Sequence, residues 1–225
     1  MQIFRNSKGL KRKTKQAVLT LGNFDGLHLG HQRIIRKVRE RAASLGVSSV
    51  VYTFEPHPLK VVAPNKSPAL ILDIDDKARI IEALGIDYMV IARFTKEFAA
   101  RHPREFVEAE LRPVAADVCV GHDFSFGKGK TGTADYLKEL GEELGFGVHV
   151  IPAYKKGGEV VSSSRIRRRI TEGEVMEAAA LLGRNFAIKG KVVRGRTIGK
   201  EIGFPTANIR TQSEIVPGDG VYAAF

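Results

Sequence analysis

Short apolar runs that alternate with longer, helix-periodic segments between Val18 and Leu182 leave few folds open to this chain. Parallel strands need a crossover between them and a helix supplies one, so this alternation predicts βαβ units and a parallel sheet. The strand candidates are Val18–Leu21, Val50–Phe54, Tyr88–Ala92, Val118–Gly121 and Val148–Ile151. Between the first two, Ile34, Ile35, Val38, Ala42 and Leu45 recur at helical spacing, while Arg33, Arg36, Lys37 and Arg41 form a basic outer face. Gly46 supplies the stop, completing one crossover. Further helices are expected over Asp75–Leu84, Pro103–Leu111, Asp135–Leu144 and Glu174–Leu182.

Beyond Leu182 the pattern becomes strand-like and broken by glycine and proline: Phe186–Val193, the glycine-rich run 194–205, then Val221–Phe225. This reads as the start of an all-β module, and a piece of roughly 40 residues seldom closes a core unaided. The boundary is placed between residues 183 and 184, giving segments 1–183 and 184–225.

With 43% hydrophobic residues the chain can bury a full core, and its single cysteine, Cys119, excludes a disulfide framework. The beginning Met1–Asn6 lacks the apolar core of a signal peptide, and no run approaches the ~20 apolar residues of a bilayer span. A cytoplasmic protein without membrane partners is expected. A formal net charge of +11 favours an anionic partner without choosing among nucleic acid, acidic lipid and phosphorylated metabolites.

Two constellations narrow that choice. Leu21-Gly-Asn-Phe-Asp-Gly-Leu-His-Leu-Gly-His31 joins the first strand to the first helix, where α/β sheets place ligands. His28 and His31 lie three apart at the helix start, so both imidazoles can face one anion beside unpaired N–H groups. The plainer alternative is that they are caps or core filler; a zinc reading is poorer because no third ligand lies nearby in sequence, although His57 or His122 could approach in space. Val161-Ser-Ser-Ser-Arg-Ile-Arg-Arg-Arg169 is the second: Ser162 or Ser163 can cap a helix whose start then offers hydroxyls, N–H groups and guanidinium groups to phosphates. An ordinary cap with exposed arginines is its alternative.

Taken together with Thr53-Phe-Glu-Pro-His-Pro58, Gly121-His-Asp-Phe-Ser-Phe-Gly127 and Gly203-Phe-Pro-Thr-Ala-Asn208, these motifs resemble the prokaryotic bifunctional riboflavin kinase/FMN adenylyltransferase family, also called FAD synthetase. The resemblance implies a Rossmann-like nucleotidyltransferase domain followed by the incomplete start of a β-barrel flavokinase module. It implies that His28, His31, Ser164 and Arg167 act on the ATP phosphates, with Gly22, Asn23, Phe24, Asp25, Gly26, Gly30 and Ser163 completing the nucleotide site. Ser164 stands where the family usually has threonine, which keeps the hydroxyl. Phe54, Pro56, His57, Asp123, Phe124 and Phe126 are the implied flavin side, with core filling the alternative for each phenylalanine. The run Gly127–Gly132 lacks P-loop spacing and is expected to be an active-site loop. FMN and ATP are the expected substrates, FAD the product, and Mg²⁺ the ion that arrives with ATP. Thr206 and Asn208 are implied ligands of a magnesium–nucleotide in the kinase module. Because the family continues beyond Phe225 and carries its catalytic carboxylate there, this chain is expected to lack riboflavin kinase activity. A different nucleotidyl acceptor, a non-catalytic flavin binder and a nucleic-acid binder are the competing readings; no nucleic-acid module supports the last.

Overall fold

The computed structural model describes residues 1–195, 203 and 206–224. Six parallel strands form the central sheet in the order β1-β4-β3-β2-β5-β8. They are β1 (Gln2–Phe4), β2 (Ala17–Leu21), β3 (Ser48–Glu55), β4 (Tyr88–Arg93), β5 (Ala115–Gly121) and β8 (Gly147–Ile151). Short antiparallel ladders pair β6 (Ser125–Phe126) with β7 (Gly132–Thr133), β9 (Lys155–Lys156) with β10 (Glu159–Val160), and β11 (Gly190–Val193) with β12 (Asn208–Thr211). The helices are α1 (Ser7–Lys11), α2 (Leu29–Leu45), α3 (Pro58–Val62), α4 (Ile74–Ala83), α5 (Lys96–Ala99), α6 (Pro103–Phe106), α7 (Ala134–Leu144), α8 (Ser163–Thr171) and α9 (Val175–Leu182).

The expected α/β architecture is therefore present, and each expected sheet strand appears. Alternation along the strands sorts side chains to two faces. Leu19, Leu21, Val50, Tyr52, Val90, Val118 and Val120 pack beneath α6 and α7 with Phe106, Leu111, Leu137 and Leu140. Val18, Val51, Met89, Ile91 and Cys119 face the opposite layer, against Ile35, Val38 and Ala42 of α2 and Ile81 of α4. A third cluster joins Ile166 and Ile170 of α8 and Leu181 of α9 to Ile71, Val161 and Ile215.

Several details differ from the sequence reading. The helix expected over Pro103–Leu111 is α-helical only to Phe106 and then widens into a π-turn over Val107–Leu111, closed by Arg112 N–H to the Val107 carbonyl at 2.9 Å. This extra residue per turn puts Glu110 and Leu111 side by side on the buried side. Strand β1 was not expected; at three residues it is too short for periodicity, and its pairing with β4 makes it a strand. In the last segment only Gly190–Val193 of the expected 186–193 strand is paired in a ladder, and residues 221–224 pair with no strand among the described residues. Of the glycine-rich run, residues 196–202, 204 and 205, including Gly199, lie outside the described residues, as does Phe225.

Gly141 shows how tightly α7 seats on the sheet: a Cβ there would fall 2.7 Å from the Phe146 carbonyl oxygen and 2.9 Å from Val148. Alanine gains about 1 kcal/mol of helix propensity over glycine, whereas overpacking against backbone costs about 1–3 kcal/mol. Gly141→Ala is thus expected to destabilise the protein, seen as a lower urea midpoint with an unchanged slope.

Candidate active site

The chain leaves β2 through a turn in which Phe24, Gly26 and Leu27 all have positive φ (48°, 78° and 42°) before α2 begins. Non-glycine residues enter this region at a cost of roughly 1–2 kcal/mol, so tertiary contacts must hold them. Phe24 and Leu27 are buried, and at Gly26 the positive φ disfavours any side chain while a Cβ would also press on Ile71 at 3.0 Å. The carbonyls of the turn are taken by long side chains. Lys77 Nζ donates to Asn23 O at 2.7 Å, Arg184 donates to Gly26 O at 2.7 Å and Leu27 O at 3.3 Å, and Gln32 donates to Leu27 O at 2.9 Å.

Asp25 fastens this turn to the rest of the site. Its carboxylate, 3% exposed as a residue, accepts from the Ile71 N–H at 3.0 Å and the Leu72 N–H at 3.3 Å and pairs with Arg167 Nη2 at 2.7 Å. Ser163 Oγ donates to the Asp25 carbonyl at 2.8 Å, and Arg167 Nε donates to the Ala69 carbonyl at 2.8 Å. Ser162 is the N-cap of α8, accepting from the Arg165 N–H, so the start of α8 is brought against the start of α2. Ser164 is left exposed at this junction.

His28 caps α2 through Nδ1, which accepts from the His31 N–H at 3.3 Å. A neutral ring bonded in this way carries its proton on Nε2, which is then the nitrogen able to donate to an anion. The two imidazoles stack at 3.6 Å, and Phe24 meets His31 edge-on at 5.3 Å. Burial pushes the His28 imidazole down to about 4, against the opposing pull of Asp25 and Asp123. His31 is held well below the ordinary histidine value by burial, then by His28 and Lys77, and its buried Nδ1 has no partner. Both rings are therefore neutral donors at pH 7.

From this junction a cleft of about 740 Å³ runs across the carboxyl ends of the strands. One end is lined by Gly22, Asn23, Phe24, Asp25, His31, Ser163, Ser164 and Arg167. The other is walled by aromatic rings in succession: Phe94 and Phe98 at 5.5 Å, Phe98 and Phe106 at 5.8 Å, Phe106 and Phe126 at 5.8 Å, and Phe126 stacked on Phe124 at 5.3 Å. Phe54 touches both Phe94 and Phe98, and Arg101 lies over the Phe98 ring at 4.9 Å while pairing with buried Glu110 at 3.0 Å. Tyr52 and Ser7 donate to the other Glu110 oxygen, at 3.0 and 2.6 Å. Asp123 and the loop residues Gly127, Gly129 and Lys130 rim the opening.

The cleft thus gathers most of the residues singled out from the sequence, at the helix-start end and at the aromatic end alike. His28 lies behind His31 rather than on the wall, and Gly26 and Gly30 shape the turn without lining the cleft; a Cβ at Gly30 would sit 3.1 Å from the His28 ring. Pro56 does not line it, and His57 does, with its Nδ1 capping α3 at the Leu59 N–H. Burial lowers the His57 imidazole as well. Thr206 and Asn208 stand apart in the last segment, where Asn208 presses on Gly195 so closely that a Cβ there would fall 2.1 Å from the amide nitrogen. Sequence reasoning missed Lys77, Arg184, Phe94, Phe98 and Arg101. Phe98 lies on α5 and Phe94 just before its Thr95 cap, and nothing in the sequence marked the three cations, two of which act on backbone carbonyls and one on a ring.

A sequence profile described as FAD synthetase matches residues 10–165. The chain belongs to the FAD synthetase family. A second profile, described as riboflavin kinase, matches residues 182–225 of this family member. The bifunctional riboflavin kinase/FMN adenylyltransferase of Escherichia coli strain K12 is 35% identical over 99% of the chain, which spans 72% of that protein. The protein of the same description from Listeria monocytogenes serovar 1/2a is 39% identical over 92% of the chain, spanning 66% of its length. Among solved structures, a Streptococcus pneumoniae protein described as a macrolide-efflux protein superposes with a TM-score of 0.85 at 30% identity, covering 98% of this chain and 72% of that one. Among the described residues here, no helix is long and apolar enough to cross a membrane. Pantoate-beta-alanine ligase from Francisella tularensis, at 15% identity and a TM-score of 0.53 over 79% of this FAD synthetase family member and 77% of that chain, shares the fold alone.

The histidine burial has a consequence for pH. An unfolded chain protonates histidine near pH 6.5, whereas folded His28 resists until about 4, so stability is lost as pH falls between these values. Wild type should lose up to roughly 3 kcal/mol more than His28→Asn over this window, since asparagine can keep the cap without titrating. Denaturant titrations of both proteins at pH 7.5 and pH 4.5 measure the difference.

Proposed function

We propose that this chain transfers the adenylyl group of ATP to FMN, giving FAD and pyrophosphate. The observation that carries the reading is that one cleft joins the starts of α2 and α8, with their histidine, serine and arginine side chains, to a wall of aromatic rings. Family membership and the relatives' description as FMN adenylyltransferases support it.

In this reading the triphosphate lies across the helix starts, where unpaired N–H groups and the positive ends of two helix dipoles favour an anion. His31, with His28 stacked behind it, donates to phosphate oxygens as neutral imidazole. Ser163 and Ser164 flank the same oxygens, and Arg167, oriented by Asp25 and Ala69, neutralises the tail. An FMN phosphate oxygen, already ionised at neutral pH, attacks the α-phosphorus in line. The new P–O bond forms as the bond to the β-phosphate breaks, and pyrophosphate leaves with the electron pair. No general base is needed. Mg²⁺ carried in on ATP would supply further neutralisation of its phosphate charge. On the other side, Phe54, Phe124 and Phe126, joined by Phe94 and Phe98, offer flat apolar surface for the isoalloxazine ring, and Asp123 at the rim orients the substrates.

Residues 1–183 would then carry the transferase. Thr206 and Asn208 of the remaining segment are proposed ligands of a second magnesium–nucleotide, as the riboflavin kinase match supports.

The test is chromatography of purified protein with ATP, Mg²⁺ and FMN, scoring FAD and pyrophosphate, with a parallel reaction on riboflavin reporting the last segment separately. FAD with stoichiometric pyrophosphate is expected. His31→Ala combined with His28→Asn should lower kcat/KM by at least roughly 10²-fold, the scale of a lost donor to developing charge, with the fold retained. Folded protein that binds FMN but releases no pyrophosphate would overturn the assignment.

A further inference from the structure

Glu214 belongs to the segment matched by the riboflavin kinase profile, yet its carboxylate accepts from the Leu70 N–H, beside the backbone groups that hold Asp25 and Arg167 of the cleft. Between it and the site lies a strap of four residues, Ala69 to Leu72, whose backbone groups are divided between the two sides. The Ala69 carbonyl accepts from Arg167 Nε at 2.8 Å. The Leu70 N–H donates to Glu214 Oε2 at 3.0 Å. The Ile71 and Leu72 N–H groups donate to Asp25 Oδ1 at 3.0 and 3.3 Å. Asp25 and Arg167 then close the circuit with their ion pair at 2.7 Å.

Two further contacts fix the outer side. Lys60, just after the β3 loop, pairs with the other Glu214 oxygen, and Ile215 is buried with Ile71, Val161 and Ile166. The Ile71 side chain is thus clamped from the last segment while its N–H holds Asp25.

We propose that Glu214 is a positioning residue for adenylyl transfer: through the Leu70 N–H it fixes the strap that orients Asp25 and Arg167 toward the ATP phosphates. This rests on the functional reading above. Its chemistry is specific. What matters is an acceptor for the Leu70 N–H, not the negative charge, because Glu214 touches neither Arg167 nor Asp25. A loosened strap reaches Arg167 twice, through Ala69 and through Asp25, whereas it reaches the aromatic wall nowhere. The effect should therefore fall on ATP and spare FMN.

The experiment compares Glu214→Ala, Glu214→Gln and Lys60→Met with wild type, after circular dichroism shows that each is folded. Dissociation constants for Mg·ATP and for FMN are measured by calorimetry, and KM for each substrate by the FAD assay. Glu214→Ala should weaken Mg·ATP by about three- to tenfold, the range of one lost hydrogen bond, with FMN affinity within a factor of about two. Glu214→Gln, which keeps an acceptor oxygen, and Lys60→Met, which removes only the ion pair, should both stay near wild type. Unchanged Mg·ATP binding in Glu214→Ala would overturn the proposal, as would equal weakening of both ligands, or a loss in Glu214→Gln as large as in the alanine variant. Binding is read without turnover, so a wild type that binds Mg·ATP but makes no FAD would sink the functional reading and leave this test decisive by itself.

Discussion

A carboxylate shut away from water organises this protein. Removing Asp25 from solvent is expensive, and the expense is offset only because Arg167 and two backbone N–H groups meet it at hydrogen-bonding distance. Asp25 and those partners belong to three stretches of chain that are far apart in sequence. One charge therefore sets the distance between the turn after β2, the strap before α4 and the start of α8. Breaking such a buried pair by removing one partner typically costs about 3–5 kcal/mol, more than a domain of this size can shed lightly. The left-handed turn through Phe24, Gly26 and Leu27 persists because this anchor and the Arg184, Gln32 and Lys77 contacts over-determine it.

The electrostatic design follows from the same economy of water. In a chain with net charge +11, the rings beside the proposed phosphate path carry no charge at pH 7. Arg167 supplies the fixed cation there, already paired and oriented. Charge brought by a nucleotide would meet dipoles and a held guanidinium instead of mobile side chains, so little reorganisation accompanies binding. Exposed basic residues of α2, such as Arg33 and Lys37, lie on the helix face turned away from the sheet, where they raise the long-range attraction for anions without entering the cleft.

Much of this was legible in the sequence because its rules are local. The period of two in Leu19 and Leu21 or Val118 and Val120, and the helical period of Ile35, Val38 and Ala42, locate strands and helices without knowledge of any partner. The serine run announced the cap of α8, and glycine and histidine at the end of β2 announced the turn. The π-turn at Val107–Leu111 was not legible, since the groups that Glu110 meets from it, Tyr52 and Ser7, come from across the molecule. Asp25 is the instructive residue: its motif placed it in the site, but its duty toward Ile71 and Arg167 is a long-range one that no spacing encodes. Lys77, Arg184 and Arg101 escaped notice for the same reason. Each looks like an ordinary surface cation until the carbonyl or ring it serves is brought to it.

Arg184 carries a lesson about boundaries. It stands two residues inside the stretch matched by the riboflavin kinase profile, yet its guanidinium grips the Gly26 and Leu27 carbonyls of the turn that begins the transferase site. A seam drawn by sequence similarity here runs through a shared joint. Anyone who separates the two halves at that seam takes away the guanidinium that ties down the first turn of the other half.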